Sequence, residues 1–165
     1  MKKVKLDNLN FEEKLELAMN KLIRSCSAYE QSSIKIRRKL EMAGFNQEVI
    51  DAALEKAQRY SYIDDTRYCE CLIRTAMAQG KGLRNVLPEV QSLNIDPEDL
   101  EAYNEYISTP EEDFIEQALS LLKRKPPHSK NIRASAYRRL ISKGYDMSVA
   151  SKAVGLYMES LADEL

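Results

Sequence analysis

The sequence predicts an all-α fold: three tandem three-helix repeats of about 50 residues, stacked into a curved, elongated array. Three observations carry this prediction. The chain matches itself without a gap at steps of fifty residues: Leu22, Leu72 and Leu122 align, then Arg24, Arg74 and Arg124, then Leu40, Val90 and Leu140. Gly44, Asn94 and Gly144 follow, then Phe45, Ile95 and Tyr145, then Asn46, Asp96 and Asp146. Apolar residues recur at the 3, 4 and 7 spacing of a helix face, and no strand-like alternation competes with them. Glycine and proline are scarce, 5 of each in 165 residues, which leaves few breaks for a loop-rich fold. The predicted boundaries are residues 1–60 for the first repeat (with a short N-terminal tail at 1–9), 61–108 for the second and 109–165 for the third.

In the first repeat, Asn10 is a helix N-cap and Glu13 the carboxylate that bonds back to it. Leu15, Ala18, Met19, Leu22 and Ile23 form one face of the helix that follows, which ends in the polar stretch Ser25–Tyr29. A second helix carries Ile36, Leu40 and Ala43, and Gly44 stands where a left-handed residue is wanted at its end. Asn46 caps a third helix, with Val49, Ile50, Ala53, Leu54, Ala57 and Tyr60 as its apolar stripe.

The second repeat opens at Asp64 and Asp65, both placed to cap a helix through Arg67, Tyr68, Cys69, Leu72, Ile73 and Ala76. That helix stops at Gly80-Lys81-Gly82. Val86, Val90 and Leu93 mark the next one, kinked or late in starting because Pro88 lies within it. Asp96-Pro97 is an N-cap followed by proline at the first helical position. The third repeat starts with the capping box Thr109-Pro110-Glu111-Glu112. It continues through Phe114, Ile115, Ala118, Leu119 and Leu122, breaks at Pro126-Pro127-His128, and resumes with Ile132, Ala136 and Leu140. Gly144, Tyr145 and Asp146 turn the chain into a last helix bearing Val149, Ala150, Ala153, Val154, Tyr157 and Leu161. A fifty-residue unit is near the lower limit for folding alone, so neighbouring repeats are expected to bury surface against one another, with some hinge motion between them.

No apolar run approaches the ~20 residues needed to span a bilayer, and Met1–Asn8 lacks the apolar segment of a signal peptide. A cytoplasmic monomer is expected, with no membrane partner. Cys26, Cys69 and Cys71 have the spacing of neither a disulfide framework nor a zinc site, and Cys69 reads as a core residue. The one histidine, His128, falls in a loop and reads as solvated. Asp64-Asp65 is better explained by capping than by acid–base or metal chemistry. Gly80-Lys81-Gly82 lacks the pattern and the preceding strand of a phosphate loop. Catalytic residues, metal and cofactor are all expected to be absent.

The formal net charge of −1 conceals a strong asymmetry. Residues 61–110 carry 9 acidic and 4 basic side chains, whereas residues 1–60 carry 9 acidic and 12 basic. From Gln117 to Tyr145 there is no acid, while Lys123, Arg124, Lys125, Lys130, Arg133, Arg138, Arg139 and Lys143 are basic. Lys35, Arg37, Arg38 and Lys39 form a second basic cluster, on the helix that corresponds by period to the one bearing Arg138 and Arg139. Such clusters attract phosphate backbones or acidic protein surfaces. A pI near 6.0 argues against a general duplex binder and favours a partner of mixed surface chemistry, such as a protein already seated on nucleic acid.

Several motifs resemble those of the RecX regulatory proteins. Ser32-Ser33-Ile34-Lys35-Ile36-Arg37-Arg38-Lys39-Leu40 through Gly44-Phe45 resembles the family's S-x-x-E-L-x-x-K-L…G-[FY]. Tyr62-Ile63-Asp64-Asp65-Thr66-Arg67-Tyr68 resembles [YF]-[IL]-D-D-x-R-[FY]. Gly80-Lys81-Gly82-Leu83-Arg84 followed by Leu93-Asn94-Ile95 is similar to G-x-G-x-x-[RK]-I…K-G-I. Cys26–Glu30 is most similar to members from Bacteroides-like bacteria. The likeness spans roughly residues 15 to 160. The chain departs from it at Lys35 (Glu in the family), Ile36 (Leu), Asn94 (Gly), and Pro88-Glu89, which replace a basic run.

The resemblance implies three tandem three-helix repeats and a modulator of the RecA recombinase. Such a protein would bind in the groove of the RecA nucleoprotein filament and restrain strand exchange, ATP hydrolysis and co-protease activity, with weak or indirect DNA contact. The expected contacts are Arg37, Arg38, Lys39, Lys81, Arg84, Lys123, Arg124, Lys130, Arg133, Arg138 and Arg139. Asp64, Asp65, Arg67, Tyr68, Gly44, Gly80, Gly82 and Gly144 are expected to be structural. The alternatives are a direct nucleic-acid binder acting without RecA and a generic helical adaptor.

Overall fold

The computed structural model describes residues 6–163. Of the expected N-terminal tail, residues 1–5 lie outside the described residues, as do 164–165 of the third repeat. Among the described residues the ordered elements are all helical, in the order a 3-10 turn at Leu6–Asn8, α1 (Phe11–Cys26), α2 (Ser33–Met42), α3 (Gln47–Arg59), α4 (Asp65–Ala78) and α5 (Leu87–Ser92). A second 3-10 turn at Pro97–Asp99 precedes α6 (Glu101–Ser108), α7 (Glu111–Arg124), α8 (Ile132–Ser142) and α9 (Met147–Asp163). The chain forms two compact bodies, dividing within α4 after Cys69.

In the first body, α1 begins as the sequence predicts. Asn10 Oδ1 accepts from the Glu13 N–H at 3.0 Å, and Glu13 Oε2 accepts from the Asn10 N–H at 2.9 Å. This capping box satisfies two helix-end donors that would otherwise need water. α1 packs on α2 and α3, and α2 on α3. Ala18, Met19 and Leu22 meet Ile36 and Leu40 together with the α3 stripe Val49, Ile50, Ala53, Leu54 and Ala57, and Ile63 joins the same cluster. Each large aliphatic side chain buried there contributes about 1.5–3 kcal/mol. Tyr60 departs from the expected stripe. It follows the last helical residue, where the chain turns away from the helix axis, and is 62% exposed.

In the second body, α7 and α8 both pack on α9. Ala118, Leu122, Ala136, Leu140, Tyr145, Val149, Ala150, Ala153, Val154 and Tyr157 form its main core. Two N-termini differ from expectation. Asp96 caps only the 3-10 turn at Pro97–Asp99, and α6 starts after the fully buried, extended Leu100. Its first N–H groups, those of Glu101 and Ala102, donate to the Glu70 carboxylate at 2.6 and 2.9 Å. No capping box forms at Thr109. The helix begins at Glu111, one residue too late for the Thr109 side chain to reach it, and the hydroxyl donates back to the Glu105 carbonyl at 3.1 Å. Pro88 delays α5 rather than kinking it, standing in the helix's first turn.

The fifty-residue period recurs in the backbone. Gly44, Asn94 and Gly144 have φ of +89°, +56° and +86°. Each N–H donates to the carbonyl three residues back, at Glu41, Gln91 and Ile141. Asparagine can stand in for glycine there because its short polar side chain tolerates the left-handed region.

Candidate partner-binding surfaces

The basic cluster of α2 sits on a helix whose start is held by another helix. Ser32 Oγ accepts from the Lys35 N–H at 3.3 Å. Asp65, at the start of α4, accepts from the Ser33 N–H at 2.7 Å and from the Ser33 hydroxyl at 2.5 Å. The expected second cap on α4 is therefore a cap on α2, where a carboxylate also meets the positive end of the helix dipole. Asp64 alone caps α4, accepting from the Arg67 N–H at 3.0 Å. The Arg67 guanidinium donates to Glu30 at 2.6 Å and to the Ser61 carbonyl at 3.2 Å. The Glu30 hydrogen bond raises the Arg67 pKa. The nearby Cys26 thiol is also raised, first by burial and then by Glu30.

These contacts sort the α2 cations. The Lys35 ammonium donates to the Tyr68 hydroxyl and lies 4.9 Å from that ring's centroid. Arg37 pairs with Asp51 at 2.7 Å, a half-exposed contact worth at most about 1 kcal/mol. Lys39 donates to the buried Gln31 at 3.0 Å. Arg38 is exposed, and so are Ile34 and Met42 one turn to either side of it.

In the second body, residues 80–85 are bound to the turn between α8 and α9. The Gly82 N–H donates to the Lys143 carbonyl at 3.2 Å and the Arg84 N–H to the Gly144 carbonyl at 3.1 Å. Asn85 Nδ2 donates to the Ser142 carbonyl at 2.9 Å, and the Tyr145 hydroxyl to the Gly80 carbonyl at 2.5 Å. Burial, with the Tyr106 phenol beside it, pushes the Tyr145 pKa up to about 12. This arrangement brings Lys81 and Lys143 to one cleft of about 260 Å³ and leaves Arg84 exposed beside it.

Arg133 and Arg138 of α8 line a shallow cleft of about 360 Å³ with Tyr137, Asn131, and Ser151 and Val154 of α9. Arg139 turns the other way and donates to the Lys125 carbonyl at the end of α7. Arg124 lines a separate cleft together with Asp113 and Glu116. Lys123 and Lys130 are exposed. Among the described residues no group of three or more His, Cys, Asp or Glu is placed to hold a metal ion. No helix among them is long and apolar enough to cross a membrane.

No family model matches the chain. Individual relatives do. The chain is 30% identical over 130 residues to the regulatory protein RecX of Actinobacillus pleuropneumoniae serotype 5b, covering 78% of this chain and 84% of that one. This chain belongs to the RecX family. It is 27% identical to the RecX of Legionella pneumophila over 82% of this chain and 91% of the relative, and 24% identical to that of Haemophilus influenzae over 84% and 93%. The fold is that of RecX from Lactobacillus salivarius, with a TM-score of 0.63 at 16% identity over 88% of this chain and 97% of that one. A second RecX crystal structure matches at TM-score 0.62 and 19% identity, over 84% of this chain and 70% of the other.

The RecX-like run Tyr62–Tyr68 is scaffolding in this chain: Ile63 joins the core, Asp64 caps α4, Asp65 holds α2, Arg67 binds Glu30, and Tyr68 takes Lys35. Sequence reasoning missed the partners of Asp65, the capping by Glu70 and the exposure of Tyr60. Periodicity marks which residues share a helix face but not which helix end comes to meet them.

Proposed function

We propose that this protein is a non-enzymatic regulator of RecA, which docks on the RecA–DNA filament through its basic surfaces and lowers recombinase, ATPase and co-protease activity. Its three helical triplets are read as repeats at 1–60, 61–108 and 109–165. The observation that carries this reading is that equivalent positions on α2 and α8 leave Arg38 and Arg138 exposed, while several neighbouring cations are engaged within the fold. Family membership supplies the regulatory role. In this reading Arg38, Arg84, Arg133 and Arg138 make the principal contacts with acidic protein surface or filament phosphates. Arg37, Lys39, Lys81, Lys123, Arg124 and Lys130 widen the positive field, and Arg139 acts mainly through the fold.

The test is RecA-dependent ATP hydrolysis on single-stranded DNA, titrated with this protein. The wild type should inhibit, and the Arg133→Glu/Arg138→Glu variant should need at least about tenfold more protein for the same effect, a change of ~1.4 kcal/mol. Equal inhibition by the two proteins would remove those arginines from the interface.

The acid-free stretch from Gln117 to Tyr145 favours a second reading, direct phosphate binding without RecA. Tight binding to bare DNA with a steep salt slope would support that instead.

A further inference from the structure

The first body carries a second surface, opposite in charge to those proposed for the filament. A groove of about 540 Å³ runs along α1 beside the end of α3. Its floor is the apolar row Leu15, Met19 and Ile23, spaced four residues apart and so nearly in line along the helix. Glu12, Glu13 and Glu16, all exposed, lie along its edge and outnumber the one cation in its lining, Lys56. At the far wall stand Tyr60 and Tyr62, 62% and 43% exposed, with ring centroids 6.4 Å apart.

The tyrosines are held in this position by a strained turn. Ser61, between them, has φ +57°, a conformation that non-glycine residues seldom adopt. It is fixed from both sides: its N–H donates to the Gln58 carbonyl at 3.0 Å, its carbonyl accepts from Arg67, and the Tyr62 N–H donates to the Ala57 carbonyl at 2.9 Å. The two backbone bonds are those that close a helix C-terminus through a left-handed residue, so the turn fixes both tyrosines relative to the end of α3. Tyrosine is enriched among the few residues that carry most of the binding energy of a protein interface.

We infer that this groove is a docking site for a protein segment with a large apolar side chain flanked by lysine or arginine. Charge complementarity selects the occupant. With three glutamates against Lys56, the net negative edge repels phosphate, whether of nucleic acid or of anionic lipid, and attracts a cation that can also rest against the tyrosine rings. The row of three apolar residues suits an amphipathic helix presenting anchors at i, i+4 and i+7.

The probe is a synthetic amphipathic helix with leucines at that spacing and lysines along both borders. A matched peptide carrying glutamates in place of the lysines is the control. Each is titrated into the full-length, isotopically labelled protein and followed by NMR. The lysine peptide should perturb Leu15, Met19, Ile23, Tyr60 and Tyr62, and the glutamate peptide should not. Affinity should fall at least about tenfold in Tyr60→Ala/Tyr62→Ala and in Glu12→Lys/Glu16→Lys, but not in Glu48→Lys, with circular dichroism confirming an intact fold.

Equal binding of both peptides, or unchanged affinity in both double variants, overturns the assignment. So does binding of anionic vesicles at these same residues. A concentration-dependent dimer that Tyr60→Ala/Tyr62→Ala abolishes overturns it in favour of a second copy as occupant. None of these results bears on RecA inhibition, which is measured separately with the arginine variants.

Discussion

Gly82 and Gly144 approach so closely that neither has room for a side chain. A Cβ on Gly82 would stand 2.7 Å from the Tyr145 Cα and nearer still to the Gly144 carbonyl. The Gly82 N–H and the Arg84 N–H both donate into this turn, so the contact cannot widen without losing hydrogen bonds. Lys81 and Lys143 share a cleft because their backbones meet here.

Alanine at Gly82 should therefore lower unfolding free energy by about 3 kcal/mol, at the upper end of overpacking costs. Gly144→Ala should cost as much or more, because its φ of +86° adds left-handed strain of about 1–2 kcal/mol. Gly155 is the internal control. It lies within α9 with nothing within 4 Å of a built Cβ, so Gly155→Ala should raise stability by about 0.5–1 kcal/mol. Urea unfolding of the three variants, followed by circular dichroism, checks both the signs and their order.

Asp64 and Asp65 are neighbours with different tasks. Asp64→Ala removes the cap of α4 and should cost about 1 kcal/mol. Asp65→Ala removes two hydrogen bonds from the start of α2 and should cost about 2 kcal/mol. Amide hydrogen exchange separates them: Asp65→Ala should speed exchange at Ser33, and Asp64→Ala at Arg67. Faster exchange at Arg67 alone in both variants would contradict the assignment.

Tyr145 links the fold to alkaline pH. Its pKa is raised from 10.0 to about 12, so the native state holds the phenolic proton more tightly than the unfolded chain does. The stabilisation is complete below pH 10 and is lost as pH rises from 10 toward 12, amounting to on the order of 2 kcal/mol. Tyr145→Phe should cost about 1 kcal/mol at pH 8, through the lost bond to the Gly80 carbonyl. Its stability should then fall less steeply above pH 10 than the wild type's. Parallel alkaline limbs in the two proteins would show that this phenol does not carry the dependence.

Arg138 and Arg139 adjoin in sequence and should differ in effect. Arg139→Ala leaves the Lys125 carbonyl at the end of α7 without its donor and should cost about 1 kcal/mol in thermal or urea unfolding. Arg138→Ala should stay within about 0.5 kcal/mol of wild type, as exposed substitutions do. Weakened RecA inhibition from Arg138→Ala, with stability unchanged, would place its role at a surface.

The sequence made the helices legible because their information is local. The Asn10–Glu13 box, the Asn46 cap, the Gly44 and Gly144 turns and the buried stripes all depend on residues within a few positions of one another. What it did not reveal was relational. Asp65 reads as a cap for its own helix until Ser33, thirty-two positions earlier, is seen beside it. Tyr60 fits the apolar period of α3, yet the helix ends one residue before it, and the period has no meaning past that point. Thr109 failed as a cap because the helix starts one residue late, a shift that pattern reading does not resolve. The basic clusters were visible as composition. Their division into engaged and exposed cations depended on distances to Tyr68, Asp51, Gln31 and the Lys125 carbonyl.

Gly44, Asn94 and Gly144 separate what the matched positions share from what they do not. Side chains at matched places differ, arginine against proline and phenylalanine against isoleucine, but the sense in which the backbone winds at these three turns is the same in each. Handedness is what the three turns hold in common. Whatever replaces the exposed side chains around them, each of these turns must keep a residue able to wind to the left, while the buried stripes keep the helices packed.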